Sequence, residues 1–592
     1  MKIMKKYILM IVSGLMLVSC VDTIILPDDK TVDEDFWKTK QQVGSMVTAA
    51  YAAMASNDVM AHLLVWGESR TDDVLGPSST VDNSTTKTAL DEISAVNMQT
   101  TNMFAKWESL YTVINRCNIV LERAEAVMKE DPNYTMGDYQ VDRSQMLALR
   151  ALCYFYLVRN FRDVPYIAEA YMNSSQNMQV AQSAPAVVLQ HCIDDLEEAA
   201  QTALDARGYS KSDWQRVGRF TTDGINALLA DIYLWRASVM HSQADYTQCI
   251  DYCNKVIASK QEQHVKSPSE IEKAYPLAGA TELYEKLFVE QNAEESIFEL
   301  QSTSNTGISQ YYYKYKGTNG NGGEGWLRAT TIFANTASVY NTETSLSSTN
   351  LYSAGDMRYY SACYVPSVSE ASYSIRKMVT ENTVSGKTVA TSRDDLGNSG
   401  LDRNLNIYRL TDVMLMKAEA LVQQVDTNTA KTIQDSLLHR AFELVQAVNN
   451  RAIHPDNLSD SIRWSSNTAK LRFSSLSKDQ FEQLVLQERM REFCFEGRRW
   501  YDLLRYNYRH VSGVDYNRTL AEINEAGEAL PANSKDMLVL MTRKRDDASG
   551  VQAKMANEAY LYMPIPNSDI IVCPLLRQNP AYKDTNEYEK NY

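Results

Sequence analysis

Apolar residues recur along most of this chain at helical spacing. An Ala-rich segment from Phe36 to about Ser56 predicts a first helix. Trp107, Tyr111 and Asn115 open another, on which Val113, Cys117, Val120 and Leu121 fall at i, i+4, i+7 and i+8. From about Gln145, one stripe runs through Leu149, Leu152, Cys153, Tyr156 and Leu157 until Asp163-Val164-Pro165 ends it. Ile225, Leu228, Leu229, Ile232 and Tyr233 repeat the stripe, with a partner helix over Asp245 to Ser259. Leu410 to Gln423 and Phe442 to Ala452 repeat the arrangement. The pattern predicts an all-α protein of helix–turn–helix units, TPR-like but too irregularly spaced for a clean repeat array. Two stretches, 57–100 and 301–404, lack stripes and are rich in Ser, Thr, Asn and Gly, which predicts long irregular inserts. The expected organisation is a helical region over 36–300 carrying the first insert, the second insert over 301–404, and a helical region over 405–592.

The N-terminus has a different pattern. Lys2, Lys5 and Lys6 precede an apolar run from Tyr7 to Val18, too short to span a bilayer and suited to a secretory signal over residues 1–19. It ends Leu17-Val18-Ser19-Cys20, which resembles a bacterial lipobox. That implies cleavage before Cys20, a thioether-linked diacylglycerol and N-acylation, and several acyl chains anchor stably where one is marginal. Residues 20–35, with Pro27 and several acids, read as an acylated tether.

Composition narrows the function. Of the 592 residues, 44% are hydrophobic and 22% charged, an ordinary globular balance. A net charge of −15 without a long basic run argues against nucleic acid and anionic lipid as electrostatic partners. Besides Cys20, the eight cysteines make no CxxC pair or ligand cluster and read as structural thiols without a disulfide framework. Tyrosine is abundant, at 35 residues, and its hydroxyl-tipped ring suits half-wet surfaces, although most of these rings are expected to pack helices.

The densest chemistry lies over Gln487–Arg505, QERMREFCFEGRRWYDLLR. Glu488, Glu492 and Glu496 follow at i,i+4 on one helical stripe, with Arg491 and Arg499 in reach. Paired carboxylates could serve as general acid and base in glycoside hydrolysis. Each acid has an arginine nearby, however, and a carboxylate neutralised by Arg is a poor general acid, so structural ion pairing is the preferred reading. Elsewhere the seven histidines form no HExxH, and there is no GxSxG elbow. Asp131-x-Asn133-x-Thr135 begins like a calcium loop, but Met136 stands where glycine is needed. No catalytic residues, cofactor or metal ligands are assigned; a single structural calcium ion stays open.

The run E-R-x-R-E-F-x-F-E-G-R-R-W-Y-D-L-x-R, followed by Tyr562-Met-Pro-Ile-Pro-Asn-Ser-Asp-Ile570 and Gln578-Asn-Pro-Ala-Tyr582, resembles the late signature of the SusD/RagB family. Scattered similarity runs from Cys20 to Tyr582. The resemblance implies a TPR-like scaffold, an outward-facing outer-membrane lipoprotein and a SusC-like TonB-dependent transporter as partner. It also implies an oligosaccharide ligand, with peptide as the alternative within the family.

Candidate ligand residues come from the two inserts. The second holds Tyr311, Tyr312 and Tyr313, then a glycine-rich run with neither a GK[ST] sequence nor a strand–GxGxxG–helix setting, ending at Trp326 and Arg328. The first offers Trp66, Asp72, Asp73 and Asn83, together with Glu68 and Arg70. Aromatic rings beside short polar groups suit sugars, the ring packing on C–H groups while polar side chains bond hydroxyls. The lipobox makes a direct prediction. Cys20→Ser abolishes incorporation of radiolabelled palmitate and releases the protein from the membrane fraction, whereas labelling that persists excludes Cys20 as the acylated residue.

Overall fold

The computed structural model describes residues 36–582 except 78–83, 174, 265–274, 303–325, 334–350, 354, 365–373, 376, 378–381, 385, 386, 390–402, 463–475 and 543–547. The fold is all-α, and strands among the described residues occur as five two-stranded antiparallel ribbons. Consecutive helices pack as hairpins. Lys40–Met54 lies on Glu108–Glu130, which pairs with Met136–Phe161, and that helix pairs in turn with Pro185–Ala200. Thr222–Met240 and Gln243–His264 form the next hairpin, followed by Leu410–Gln423 with Lys431–Arg451. Lys478–Phe493 lies against Leu410–Gln423, while Arg499–Arg509 reaches Thr222–Met240 and Asn57–Glu68.

Two expectations about elements need correction. The helix expected near Gln145 starts at Met136, where Thr135 and Asp138 form a capping box. Its first turns are polar and carry no stripe, whereas every residue from Ser144 to Phe161 is buried. The calcium-like start at Asp131 is part of this turn: its carboxylate accepts from the N–H of Asn133 and of Lys40, each at 2.9 Å. The stretch 57–100 is not an irregular insert. It holds the helices Asn57–Glu68 and Thr85–Ser94. All ten residues from Val59 to Glu68 are buried, and a helix enclosed on every side shows no polar face and hence no stripe.

The second stretch is bounded by a ribbon. Ser296–Leu300 pairs with Leu405–Arg409, with Leu300 opposite Leu405, so the two ends of the stretch lie side by side. A second ribbon links the two stretches across the sequence, with Val74 opposite Ala329 and Leu75 opposite Arg328. Cys117, Cys153, Cys192, Cys249, Cys253, Cys494 and Cys573 are free thiols, and all but Cys573 are buried.

One backbone crossing fixes how the N-terminal helices meet the C-terminal ones. Gly497 has φ +76°, and its carbonyl oxygen sits 1.9 Å from the point where a Cβ on Gly67 would stand. Backbone cannot yield as a side chain does, so Gly67→Ala should destabilise the protein by about 3 kcal/mol or more in denaturant titration. Gly44, also helical, has nothing within 4 Å of its would-be Cβ. Gly44→Ala should therefore be neutral or stabilise by up to about 1 kcal/mol, and equal effects at the two positions would refute the crossing.

Candidate functional site

The charged run at 487–505 is two helices and a turn rather than one helix. Lys478–Phe493 ends at Cys494, Phe495 and Gly497 take positive φ, and Arg499–Arg509 begins the second helix. Glu68 grips the turn, its Oε1 accepting from Gly497 N–H at 2.6 Å and Arg498 N–H at 3.2 Å. Burial, with Asp73 beside it, pushes the Glu68 carboxyl well above the usual range against those two donors.

The three glutamates meet cations drawn from distant parts of the chain. Glu488 pairs with Arg491 at 2.8 Å, as the spacing predicts, and with Arg358 at 2.8 Å. Glu492 takes Arg358 at 2.9 Å and closer contacts from Arg409 and Arg451. Glu496, beyond the helix end, pairs with Arg409 at 2.9 Å and Lys377 at 2.7 Å. Glu295 joins from the other side, 3.2 Å from Arg409 and 3.0 Å from Arg451. Arg499, expected to serve this stripe, instead holds Asp72 through two bonds of 2.8 and 3.0 Å. Arg489 bridges Asp412 and Asp502, while Arg505 pairs with Glu419. Burial alone would raise the carboxyls of Glu488, Glu492 and Glu496. The surrounding guanidiniums, with Lys377 at Glu496, outweigh it and hold all three below the usual carboxylate range.

The proposed ligand residues from the first stretch lie in the interior. Trp66 is fully buried, donating Nε1–H to the Phe104 carbonyl at 2.7 Å and meeting His62 and Phe161 edge-on. Asp72 is committed to Arg499, and the buried Asp73 accepts from the Thr71 hydroxyl. Arg70 stacks 4.0 Å over the Trp500 ring and donates to the Leu561 carbonyl. The expectation that Trp66, Asp72 and Asp73 are displayed on a surface loop is therefore corrected. They belong to the same buried ion and aromatic core as the late signature. The composition E-x-R-x-D-D at 68–73 repeats the acid–arginine alternation of 488–502, which was the available signal.

In the second stretch Trp326 is also buried, leaving about 5% of its surface exposed. Arg328 is half-buried and donates to the Gly76 carbonyl at 3.0 Å. Thr330 N–H bonds the Asp73 carbonyl at 2.9 Å, so Trp326–Thr330 is stitched onto residues 73–76. Asn83, Tyr311, Tyr312 and Tyr313 lie outside the described residues, as does Cys20. A small polar cavity of about 30 Å³ opens among Arg159, Asp231, Asn406, Tyr408, Arg498 and Tyr501. That is room for a water or two, not for a sugar chain.

Comparison with known proteins agrees with this architecture. The SusD family model matches residues 239–582. A second model, described as starch-binding associating with outer membrane, matches 26–234. SusD-like protein P2 of Formosa agariphila is 24% identical over 518 residues, covering 85% of this chain and 91% of that protein. SusD-like protein P38 of the same organism is 23% identical over 530 residues, covering 84% and 90%. Among solved structures, a SusD homolog from Bacteroides thetaiotaomicron superposes with TM-score 0.64 at 18% identity, covering 92% of this chain and 98% of that one. A SusD superfamily protein from Parabacteroides distasonis gives 0.61 at 20%, covering 91% and 99%.

The ion network predicts a pH limit. A carboxyl whose folded pKa lies below its unfolded value stabilises fully above the unfolded value, near 4.5, and loses that contribution as pH falls through the folded one. Thermal unfolding should accordingly drop steeply below about pH 4.5. Glu492→Gln, which leaves three guanidiniums facing a neutral amide, should cost about 3–5 kcal/mol at pH 7 and flatten the acid limb. An acid limb identical to wild type would remove Glu492 from the network's energetics.

Proposed function

This chain belongs to the SusD family, and we propose that it is a cell-surface lipoprotein that captures an oligosaccharide and passes it to a partner TonB-dependent outer-membrane transporter. The observation that carries this reading is the match of two family models over 26–234 and 239–582, one of them described as starch-binding associating with outer membrane. The lipobox ending at Cys20 supports anchoring by acyl chains. Among the described residues, no helix is long and apolar enough to cross a membrane.

The mechanism is binding rather than bond cleavage. A glycosidase needs one carboxyl held protonated near neutral pH. Glu488, Glu492 and Glu496 are shifted the opposite way by their arginines and are enclosed in the core. Affinity would come from aromatic stacking and hydrogen bonds on the face where the 301–404 stretch emerges, with no cofactor required. The deep ion network keeps that face in register: Asp72, bonded to Arg499, stands two residues before the strand Val74–Leu75 that pairs with Arg328–Ala329.

Affinity electrophoresis of the purified full-length protein against a panel of polysaccharides and peptides, scored together with release of reducing sugar, tests the proposal. Retention by one glycan class without sugar release is the expected result. Peptide retention alone would move the ligand class to peptide, and release of reducing sugar would overturn binding without hydrolysis.

A further inference from the structure

Of the eight tryptophans, Trp66, Trp107, Trp235, Trp326 and Trp500 are buried, Trp37 is half-buried and Trp464 lies outside the described residues. Trp214 stands apart at 45% exposed. It immediately precedes the short helix Gln215–Gly218, which packs against the strand Ser296–Leu300 at the root of the 301–404 stretch. Its ring is seated from behind. A Cβ on Gly218 would stand 2.5 Å from the ring's Cε3 and 2.8 Å from Cγ of Gln301. Gly218 needs no positive φ, so what excludes a methyl is the ring and Gln301 rather than the backbone. The Arg219 guanidinium lies 5.8 Å from the ring centroid, its closer partner being Tyr51 at 4.3 Å.

Beyond the glycine stands a cluster of half-buried amides. Gln301 donates to Asn292 Oδ1 at 2.9 Å, Asn404 donates to Gln301 Oε1 at 3.3 Å, and Gln291 Oε1 accepts from the Asn404 backbone N–H at 2.6 Å. Gln291 sits at φ 60°, ψ 176°, a region that glycine occupies almost alone, and Asn292 follows at φ 48°. The turn is held there by Arg216, donating to the Asn292 and Ala293 carbonyls, and by Glu299, accepting from Asn292 N–H at 3.1 Å. Such backbone strain persists only when its surroundings over-determine it, and it concentrates where a ligand is clamped.

The geometry points to Trp214 as the stacking platform of a carbohydrate subsite at the root of the second stretch, with Gln301, Asn292 and Asn404 as its hydroxyl-bonding amides. An exposed ring with a rigid backing presents one apolar face to the C–H groups of a pyranose. Gln301 and Asn404 each spend both amide protons within the protein, but each side-chain carbonyl has two lone pairs and can accept a sugar hydroxyl beside its internal bond. The charged side chains beside this set are engaged within the protein, Glu299 by Asn404 and Asn292 and Arg216 by the Asn292 and Ala293 carbonyls, so the ligand class it fits is a neutral glycan. The inference rests on the glycan-capture reading above and adds to it the position and chemistry of a subsite.

The test compares full-length wild type, Trp214→Ala, Trp214→Phe and Gly218→Ala in affinity gels containing soluble starch, mannan, xylan or polygalacturonate. Thermal melts report folding in parallel. The expected result is retention of wild type by a neutral polysaccharide, weakened at least about tenfold in Trp214→Ala and in Gly218→Ala, which displaces the ring, and largely kept in Trp214→Phe; the two Trp214 variants melt as wild type and Gly218→Ala melts lower. Unchanged retention of a normally melting Trp214→Ala protein would overturn the platform while leaving glycan capture intact. Binding confined to polygalacturonate would overturn the neutral-glycan assignment. Wild type retained by no polysaccharide would defeat the capture reading itself, and the subsite with it.

Discussion

A carboxylate surrounded by three guanidiniums deep in the protein is the constraint on which this structure depends. Glu492 touches Arg358, Arg409 and Arg451, and those arginines come from three separate segments. Each ion would be expensive to bury alone, and each is tolerable only because the others are in place. The network thus acts as a registry device. Glu492 of the Lys478–Phe493 helix is neutralised only with residues 358, 409 and 451 in place, and a slip by one turn would strand charges in the core. Apolar burial supplies the drive to collapse, while the ions select one arrangement among compact alternatives.

The same logic extends outward. Arg499 captures Asp72, and the residues beside Asp72 pair with the strand at Arg328–Ala329. Two stretches some 250 residues apart are therefore tied to each other and to the charged turn. Glu68 grasps the backbone of that turn, and Gly67 makes room for it. Val74 and Ala329 are fully buried where they meet, so this tie is part of the core.

Much of the candidate chemistry was misplaced by sequence reasoning for a single physical reason. Charged and aromatic residues in a segment without a stripe suggest a wet loop, but Trp66, Asp72 and Asp73 lie in or beside a helix buried on all sides. A fully enclosed helix has no polar face to generate periodicity, and its charges are neutralised by partners hundreds of residues away, which no local window contains. Trp214 illustrates the converse. Nothing in the residues around it distinguishes it from a packing tryptophan; its exposure and its glycine seat exist only once Gln301 has been brought beside Gly218.

The residues alone were enough to give the helical character, the apolar stripes of the paired helices and the family, because helical periodicity and a contiguous charged motif are local properties of the chain, whereas the polar starts of the helices at Met136 and Lys431 carried no stripe and were missed. The sequence also marked Glu488 and Arg491 as partners, since they are one turn apart on one helix. Only the tertiary structure decided that Arg499 serves Asp72 and that Glu492 is shared among three distant arginines. Only it decided that Trp214 is exposed. Pairing across hundreds of residues is chosen by which packing lets every buried charge find an opposite one at once, a condition on the whole molecule that no stretch of chain contains.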